Sequence, residues 1–236
     1  EPILRKIETR YGNQLVVKNI MGGLVKDIRE FYDSGNDIGR DSELSNKQIA
    51  KHWLEASSRH GMPVRTEGFQ LFTEKDRSTY PQNIAYKAAQ MENQKLADQF
   101  LRRIREASAA EARQTNKQDV LVELASEVGL DISKFIGHLN DGSAEDAFKE
   151  DLHTTQKYGV RGFPSFLLRY GDREVFMRSF QSYESFKAII ESSAGEEIIE
   201  HIPEKNKESV LDFIKKYGRV APVEIQVSFD LTESEM

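Results

Sequence analysis

The fold is decided by residues 158–169, which read YGVRGFPSFLLR and join a helix end, a short glycine-flanked loop, a proline and an apolar strand. A proline gives up a backbone donor that a sheet would use, so a strand tolerates it only at the first position or at an edge. An X-Pro bond at such a place is a candidate for the cis isomer. We therefore predict a cis bond between Phe163 and Pro164, and a functional reason for this loop.

The residues on either side of the loop indicate a hairpin that follows a long helical region. Residues 165–168 and 174–177 are short, mostly apolar runs typical of two strands, and the turn-forming residues 170–173 separate them. A helix over 183–192 follows. From residue 81 to about 159 the apolar residues recur at helical spacing, which predicts an all-helical domain inserted between two halves of a mixed fold.

The N-terminal part predicts a helix followed by a strand. Residues 2–10 carry apolar side chains at helical spacing, and residues 15–20 form an apolar run typical of a buried strand. Ser45 is predicted to cap a helix that reaches about Arg59, because Gln48 stands at the capping-box position.

Several motifs resemble those of the DsbA family of thioredoxin-fold proteins, in particular its cytoplasmic FrnE-like branch. Residues 1–12 resemble the helix that follows the Cys-x-x-Cys of that branch, and residues 21–24 resemble the end of its second strand. Residues 124–159 resemble the two helices before its cis-proline loop. The resemblance covers residues 1 to about 194. It implies an α/β thioredoxin-like fold with a large all-helical insertion.

The resemblance also implies a substrate-binding site around the loop proline. In thioredoxin-fold proteins the residue before this proline offers its backbone to an extended substrate, and here that residue is Phe163. The residues that the resemblance places at the site are Gly162, Phe163, Pro164, Gly22, Gly23 and His60. The glycine pair is interpreted as a turn and not as a phosphate loop, because no Gly-Lys-Ser/Thr follows it. A histidine in the last turn of a helix is more often only a favourable dipole partner, so His60 also has a purely structural interpretation.

The chain contains no cysteine, so the redox motif of the resembling family is absent from its 236 residues. We expect the Cys-x-x-Cys and the opening strand of the sheet to lie just upstream of Glu1. The first residue is not a start methionine, and a thioredoxin sheet lacks its central element without that strand. No catalytic residue is assigned within the chain itself.

The predicted organisation has four segments. Residues 1–80 form the first part of the thioredoxin-like domain, 81–159 the helical insertion, 160–194 the second part of the domain, and 195–236 a linker and a C-terminal appendage. Residues 218–225 resemble the turn and second helix of winged-helix modules, so the appendage is predicted to be helical. A strand is the rival interpretation, since apolar and polar residues alternate from Val223 to Phe229.

Composition indicates a soluble globular protein, with 38% hydrophobic and 31% charged residues. The formal net charge of −6 argues against a general attraction to nucleic acid or to acidic membranes, and residues 221–236 contain no basic side chain. No apolar run approaches the length of a membrane span, so a cytoplasmic location is expected. The five histidines are scattered without metal-ligand spacing. No metal and no cofactor is predicted.

Three function classes remain open. The first, which leads, is a thiol–disulfide oxidoreductase or isomerase acting on protein or small-molecule disulfides, with an upstream thiolate as the attacking group. The second is a non-catalytic adaptor that delivers a partner protein to a AAA+ protease. The chain resembles such DsbA-like adaptors in its first helix with Glu1 and Pro2, in its helical insertion and in its C-terminal appendage. The third is an enzyme like the kappa-class glutathione transferases and isomerases, where a serine replaces the first cysteine. The residues that precede Glu1 would decide among them.

Overall fold

A computed structural model describes the whole chain, from Glu1 to Met236. The helices are α1 (Pro2–Tyr11), α2 (Ser42–His60), α3 (Tyr80–Glu92), α4 (Gln94–Ala109), α5 (Gln118–Glu127), α6 (Ile132–Asn140), α7 (Ser143–Lys157), α8 (Tyr183–Ala194), α9 (Lys207–Tyr217) and α10 (Pro222–Phe229). The strands are β1 (Tyr32–Asp33), β2 (Ile38–Gly39), β3 (Ser165–Tyr170) and β4 (Arg173–Arg178), and each sheet has two antiparallel strands. None of the helices combines the length and the apolar character that crossing a bilayer requires.

The chain divides into two compact units. The first contains residues 1–18, 60–62 and 159–236, and the second contains residues 19–59 and 63–158. We call them the hairpin unit and the helical unit. The four-segment organisation stays a prediction.

The core of the helical unit is built from α3 to α7, and no strand occurs between residues 81 and 159, as the helical periodicity predicts. Helix α4 shows how the sequence produces this core. Asn93 caps the helix by accepting a hydrogen bond from the Leu96 amide, and apolar side chains then follow one face. On that face Phe100 meets Phe135 edge to face, with ring centroids 5.5 Å apart and both side chains fully buried. Such burial stabilises the unit by roughly 1.5–3 kcal/mol per large apolar side chain.

The start of α2 differs from the sequence-based prediction. The helix begins at Ser42, and Asp41 acts as its cap by accepting a hydrogen bond from the Leu44 amide at 2.6 Å. Ser45 is fully buried inside the first turn, where its hydroxyl accepts a hydrogen bond from the Gly39 amide. The prediction of Ser45 as the cap is therefore wrong by about one turn, because Asp41, four residues earlier, is an equally good acceptor and lies next to the β1–β2 hairpin.

The hairpin unit is organised around β3 and β4. Their pairing runs from Ser165 opposite Arg178 to Tyr170 opposite Arg173. This confirms the predicted hairpin and extends each strand beyond its predicted bounds. The inner face of the hairpin packs on α1 and α8, where Phe166 meets Phe186 edge to face at 5.0 Å.

The predicted strand at residues 15–20 is not formed. No residue in this segment belongs to a strand, and Val16, Val17 and Ile20 are 83%, 49% and 45% exposed. Residues 21–24, which resemble the end of a strand, are not in one either. A strand exists only when a neighbouring backbone completes its hydrogen bonds, and no strand of the described chain pairs with this segment.

The C-terminal region is helical, and α10 settles the choice between helix and strand for residues 222–229 in favour of helix. Pro222 occupies the first helical turn, where its missing N–H costs no hydrogen bond. Helices α9 and α10 pack through Phe213 and Phe229, whose ring centroids are 5.6 Å apart.

The predicted linker is held against the end of α1. The Gln14 side chain both donates to the Ile199 carbonyl and accepts from the Ile199 amide, and the His201 amide donates to the Arg10 carbonyl at 2.8 Å. Residues 195–206 are therefore held by specific hydrogen bonds to the last turn of α1 and to the short turn that follows it.

Candidate functional site

The loop before β3 presents its residues to solvent in a fixed geometry. The Phe163–Pro164 bond is cis, as predicted from the sequence. The Ser165 hydroxyl donates to the Gly162 carbonyl at 2.8 Å, and the Ser179 amide donates to the Pro164 carbonyl at 2.9 Å. Gly162, Phe163 and Pro164 are all exposed. The hydrogen bonds hold the loop to both strands of the hairpin, so its outer surface is available and ordered.

Phe163 is the side chain of this loop that is suited to contact another molecule. Half of its surface is exposed, whereas Phe166, on the following strand, packs inside the hairpin unit. An exposed aromatic ring beside exposed backbone can bind an extended polypeptide through both apolar contact and hydrogen bonds. The chain holds no thiol, so the loop can bind but cannot itself carry out disulfide exchange.

His60 lies in the same unit as Phe163, but its contacts are with other elements. Its Nδ1 accepts a hydrogen bond from the Met62 amide at 3.0 Å, and burial lowers the pKa of the imidazole. The next residue, Gly61, lies so close to α10 that a Cβ there would be 2.9 Å from Cγ2 of Val223. The structure thus gives His60 a role in shaping a turn that packs on α10, and its membership of the substrate site stays a prediction.

Gly22 and Gly23 lie in the helical unit, in a segment that is pinned to α3 and α7. The Met21 amide donates to Oδ2 of the buried Asp151 at 2.9 Å, and Lys87 donates to the same oxygen. The Gly23 amide donates to the Asn83 side chain at 3.3 Å. Gly23 has a positive φ of 55°, and a Cβ there would lie 2.6 Å from Cζ of Phe148. Glycine is required at this position for packing and for backbone conformation.

Replacing Gly23 by alanine should lower the free energy of unfolding by about 2 kcal/mol. The left-handed backbone costs alanine roughly 1 kcal/mol, and the contact with Phe148 adds a similar amount of overpacking. Urea unfolding of the variant and of the unmodified chain measures the difference. The matched control is Gly129→Ala, since Gly129 also has a positive φ, of 85°, but open space around its Cα. Equal losses in the two variants would contradict the packing role of Gly23.

A network of charged side chains fixes the C-terminal region to α1. Lys6 Nζ lies 2.5 Å from Oδ1 of Asp230, and Arg10 binds the other oxygen of the same carboxylate. Arg10 also pairs with Glu200 at 2.5 Å, and Glu200 in turn accepts hydrogen bonds from Tyr183 and Lys187. Asp230 ends α10 in the left-handed backbone conformation, with a φ of 50°, and its carboxylate contacts both cations of α1. One set of ion pairs and hydrogen bonds therefore joins helices α1, α8 and α10.

The network sets the ionisation of its carboxylates. Burial opposes the charged form of Glu200, but the hydrogen bonds from Lys187, Tyr183 and Arg10 outweigh it and lower the pKa of this carboxyl from 4.5 to about 2. Burial likewise opposes the charged form of Asp230, and the hydrogen bonds from Lys6 and Arg10 lower its pKa. Sequence reasoning missed this network, because its members are up to 224 positions apart.

A hairpin that begins at a cis-proline and packs on helices α1 and α8 is the arrangement expected of a thioredoxin-fold protein. A family model described as Thioredoxin matches residues 1–189. The chain belongs to this family of thioredoxins.

Named relatives and solved structures extend the comparison. The chain is 27% identical over 242 residues to the ClpXP adapter protein SpxH of Halalkalibacterium halodurans, with 100% of this chain and 74% of that protein covered. The structure is similar to that of a candidate protein disulfide isomerase from Nitrosomonas europaea, with a TM-score of 0.66, 18% identity and coverage of 81% and 87% of the two chains. It is also similar to the cytosolic disulfide reductase DsbM from Pseudomonas aeruginosa, with a TM-score of 0.61, 21% identity and coverage of 81% and 89%.

Proposed function

We propose that this chain supplies the substrate-binding part of a DsbA-like thiol–disulfide oxidoreductase or isomerase acting on protein or small-molecule disulfides. The observation that carries the proposal is the ordered, exposed loop of Gly162, Phe163 and Pro164 at the start of β3. Because the chain contains no cysteine, the proposal requires a Cys-x-x-Cys in a segment joined to Glu1. A thiolate there would attack a substrate disulfide, form a mixed disulfide and release the second substrate sulfur as a thiolate.

The named structures support this proposal. One is described as a disulfide reductase and the other as a candidate disulfide isomerase. The reductase is described as cytosolic, in agreement with a cytoplasmic location for this chain, which we also propose.

The direct test is the reduction of insulin by the natural gene product with dithiothreitol as the reductant. Turnover above the uncatalysed rate is expected, and replacement of both motif cysteines by serine should abolish it.

Phe163→Ala should lower kcat/KM for insulin reduction by about tenfold and leave stability nearly unchanged. Half of the Phe163 side chain is already in water, so folding loses little when it is truncated, whereas a bound substrate loses an apolar contact. Insulin turbidity and urea unfolding measure the two effects. The matched control is Tyr32→Ala in the helical unit, since Tyr32 is 47% exposed. If the Phe163→Ala and Tyr32→Ala variants had equal kcat/KM, Phe163 would not belong to the substrate site.

The second candidate function is that of a non-catalytic adaptor for a AAA+ protease. The observation that favours it is that the relative named as a ClpXP adapter protein matches the whole of this chain, including α9 and α10, whereas the solved disulfide reductase matches 81% of it. The appendage is then the surface that we expect to bind a protein partner.

Co-purification of the gene product with ClpX tests this function. Association that persists after serine replaces every cysteine, together with no insulin reduction, would establish the adaptor in place of the enzyme.

A further inference from the structure

The two largely exposed phenylalanines of the chain lie at the same end of one hairpin. The chain has 13 phenylalanines, and 11 of them are buried or half-buried. Phe163 is 50% exposed and Phe180 is 70% exposed. Phe163 comes just before β3 and Phe180 comes just after β4, and Ser165 pairs with Arg178 at that end of the ladder. Exposed large aromatic side chains that gather at one place commonly mark a binding surface.

Phe180 is held in this position by hydrogen bonds on both sides. The Ser179 amide donates to the Pro164 carbonyl at 2.9 Å, which carries the pairing one residue past the end of the strands. The Gln181 side chain donates to the Arg178 carbonyl at 2.7 Å, and Ser182 caps α8 by accepting a hydrogen bond from the Ser185 amide. The backbone on both sides of Phe180 is therefore held in place, so a ligand that covers the ring does not have to order this segment of the chain first.

The same end of the hairpin is positively charged in a chain that is negatively charged overall. Arg161 and Arg178 are both exposed, and neither forms an ion pair. The Arg178 guanidinium lies over the Phe176 ring at 4.9 Å, which leaves its N–H groups free to bind an acceptor. Glu184 is the only acidic residue within 160–168 and 175–185. A ligand with an apolar group and carboxylates is complementary to this surface.

We propose that Phe163 and Phe180 form a two-ring anchor for an extended peptide segment that carries an apolar side chain between acidic residues, with Arg161 and Arg178 binding the carboxylates. The proposal rests on the proposed function and deepens it, because it names the class of polypeptide that the loop accepts. Phe163 contacts the segment next to the loop backbone, and Phe180 contacts the side chain one or two positions further along. The two arginines fix the direction and favour acidic over basic sequences.

The experiment is fluorescence anisotropy of the 236-residue chain with a short labelled peptide that has a central Val-Phe pair flanked by aspartates. A second peptide carries lysines in place of the aspartates. Phe180→Ala should weaken binding of the first peptide at least tenfold, and Phe180→Tyr should restore it to within about threefold. The matched control is Ile202→Ala, since Ile202 is 71% exposed in the same unit and should have no effect.

Charge reversal separates a binding role from a structural one. The double variant R161E/R178E should lose the aspartate peptide and gain the lysine peptide, because each reversed charge restores attraction to the opposite sign. Three results would overturn the proposed anchor. The Phe180→Ala variant could bind the aspartate peptide as tightly as the unmodified chain does, the unmodified chain could bind the two peptides equally well, or it could fail to bind the aspartate peptide. Peptide binding needs no cysteine, so these outcomes are independent of insulin reduction, whose absence would count against the enzyme and not against the anchor.

Discussion

Replacing Asp230 by alanine is expected to lower the free energy of unfolding by about 3 kcal/mol. Asp230 is the common partner of Lys6 and Arg10, and these two cations are 9% and 5% exposed. Breaking a buried pair by removing one partner costs roughly 3–5 kcal/mol, because the remaining charge stays buried without compensation. The lower end of this range applies here, since half of the Asp230 side chain is in water and Arg10 keeps Glu200 as a partner.

The measurement is urea unfolding at neutral pH, followed by circular dichroism. Asp212→Ala is the matched control, because Asp212 lies in the same appendage and pairs with Lys215 at 2.9 Å, but both side chains are mostly in water. Exposed pairs of this kind contribute at most about 1 kcal/mol, so the control should unfold close to the unmodified chain. If the two aspartate variants were equally stable, the appendage would not be anchored through Asp230.

The loop and hairpin could be predicted from the sequence because their signals are local. Pro164 stands directly before an apolar strand, and its consequences for the backbone are confined to neighbouring residues. The helical region could also be predicted, since one residue in three or four faces the core of each helix and the pattern repeats through α3 to α7. These predictions are confirmed by the cis bond and by the helices between residues 81 and 159.

The apolar run at residues 15–20 shows where local patterns stop being sufficient. Val16, Val17 and Ile20 have the composition of a buried strand, yet strand formation depends on a partner that the sequence of the run does not specify. In the structure these side chains are exposed and the segment pairs with no strand. The pattern predicts a preference for extended backbone, and only the pairing decides whether a sheet forms.

The charged network and Phe180 were missed for a different reason. Lys6 and Arg10 follow the spacing of an ordinary solvated helix face, and the signal that they are buried comes from Asp230, far away in the chain. Phe180 has the residue type of a core position, and its exposure follows from the end of β4 and the start of α8. In both cases the tertiary structure, and not the local sequence, determines what the side chain contacts.

The position of the appendage bears on both candidate functions. Glu224 of α10 is fully buried and lies 3.5 Å from the Arg5 guanidinium, so α10 contacts α1 through a second ion pair near the first helical turn. In the family that the sequence resembles, the helix that corresponds to α1 follows the redox motif. Under the proposed function, a partner bound to the appendage would therefore contact an element joined by ion pairs to the helix that follows the redox motif. The enzyme and adaptor hypotheses do not require separate surfaces.

Acidification should remove about 3 kcal/mol of stability through Glu200 alone. Its pKa is about 2 in the folded chain and 4.5 for the unperturbed group, so the folded state binds the proton less readily than the unfolded state. A lowered pKa of this kind contributes stability that is present above pH 4.5 and is lost as the pH falls toward 2. The difference of more than two units corresponds to roughly 3 kcal/mol. Asp230 contributes in the same direction, since its pKa is also lowered.

Glu200→Gln isolates this contribution, because the amide has nearly the same shape and no charge. Unfolding curves in urea at a series of pH values should show a gap of about 3 kcal/mol between the unmodified chain and the variant near pH 6, closing as the pH approaches 2. Tyr183→Phe removes one of the hydrogen bonds that favour the Glu200 carboxylate, so its gap should be smaller and should close over the same range. A gap that stays constant from pH 6 to pH 2 would mean that Glu200 stabilises the chain by packing, and that its charge is not what holds residues 195–206 to α1.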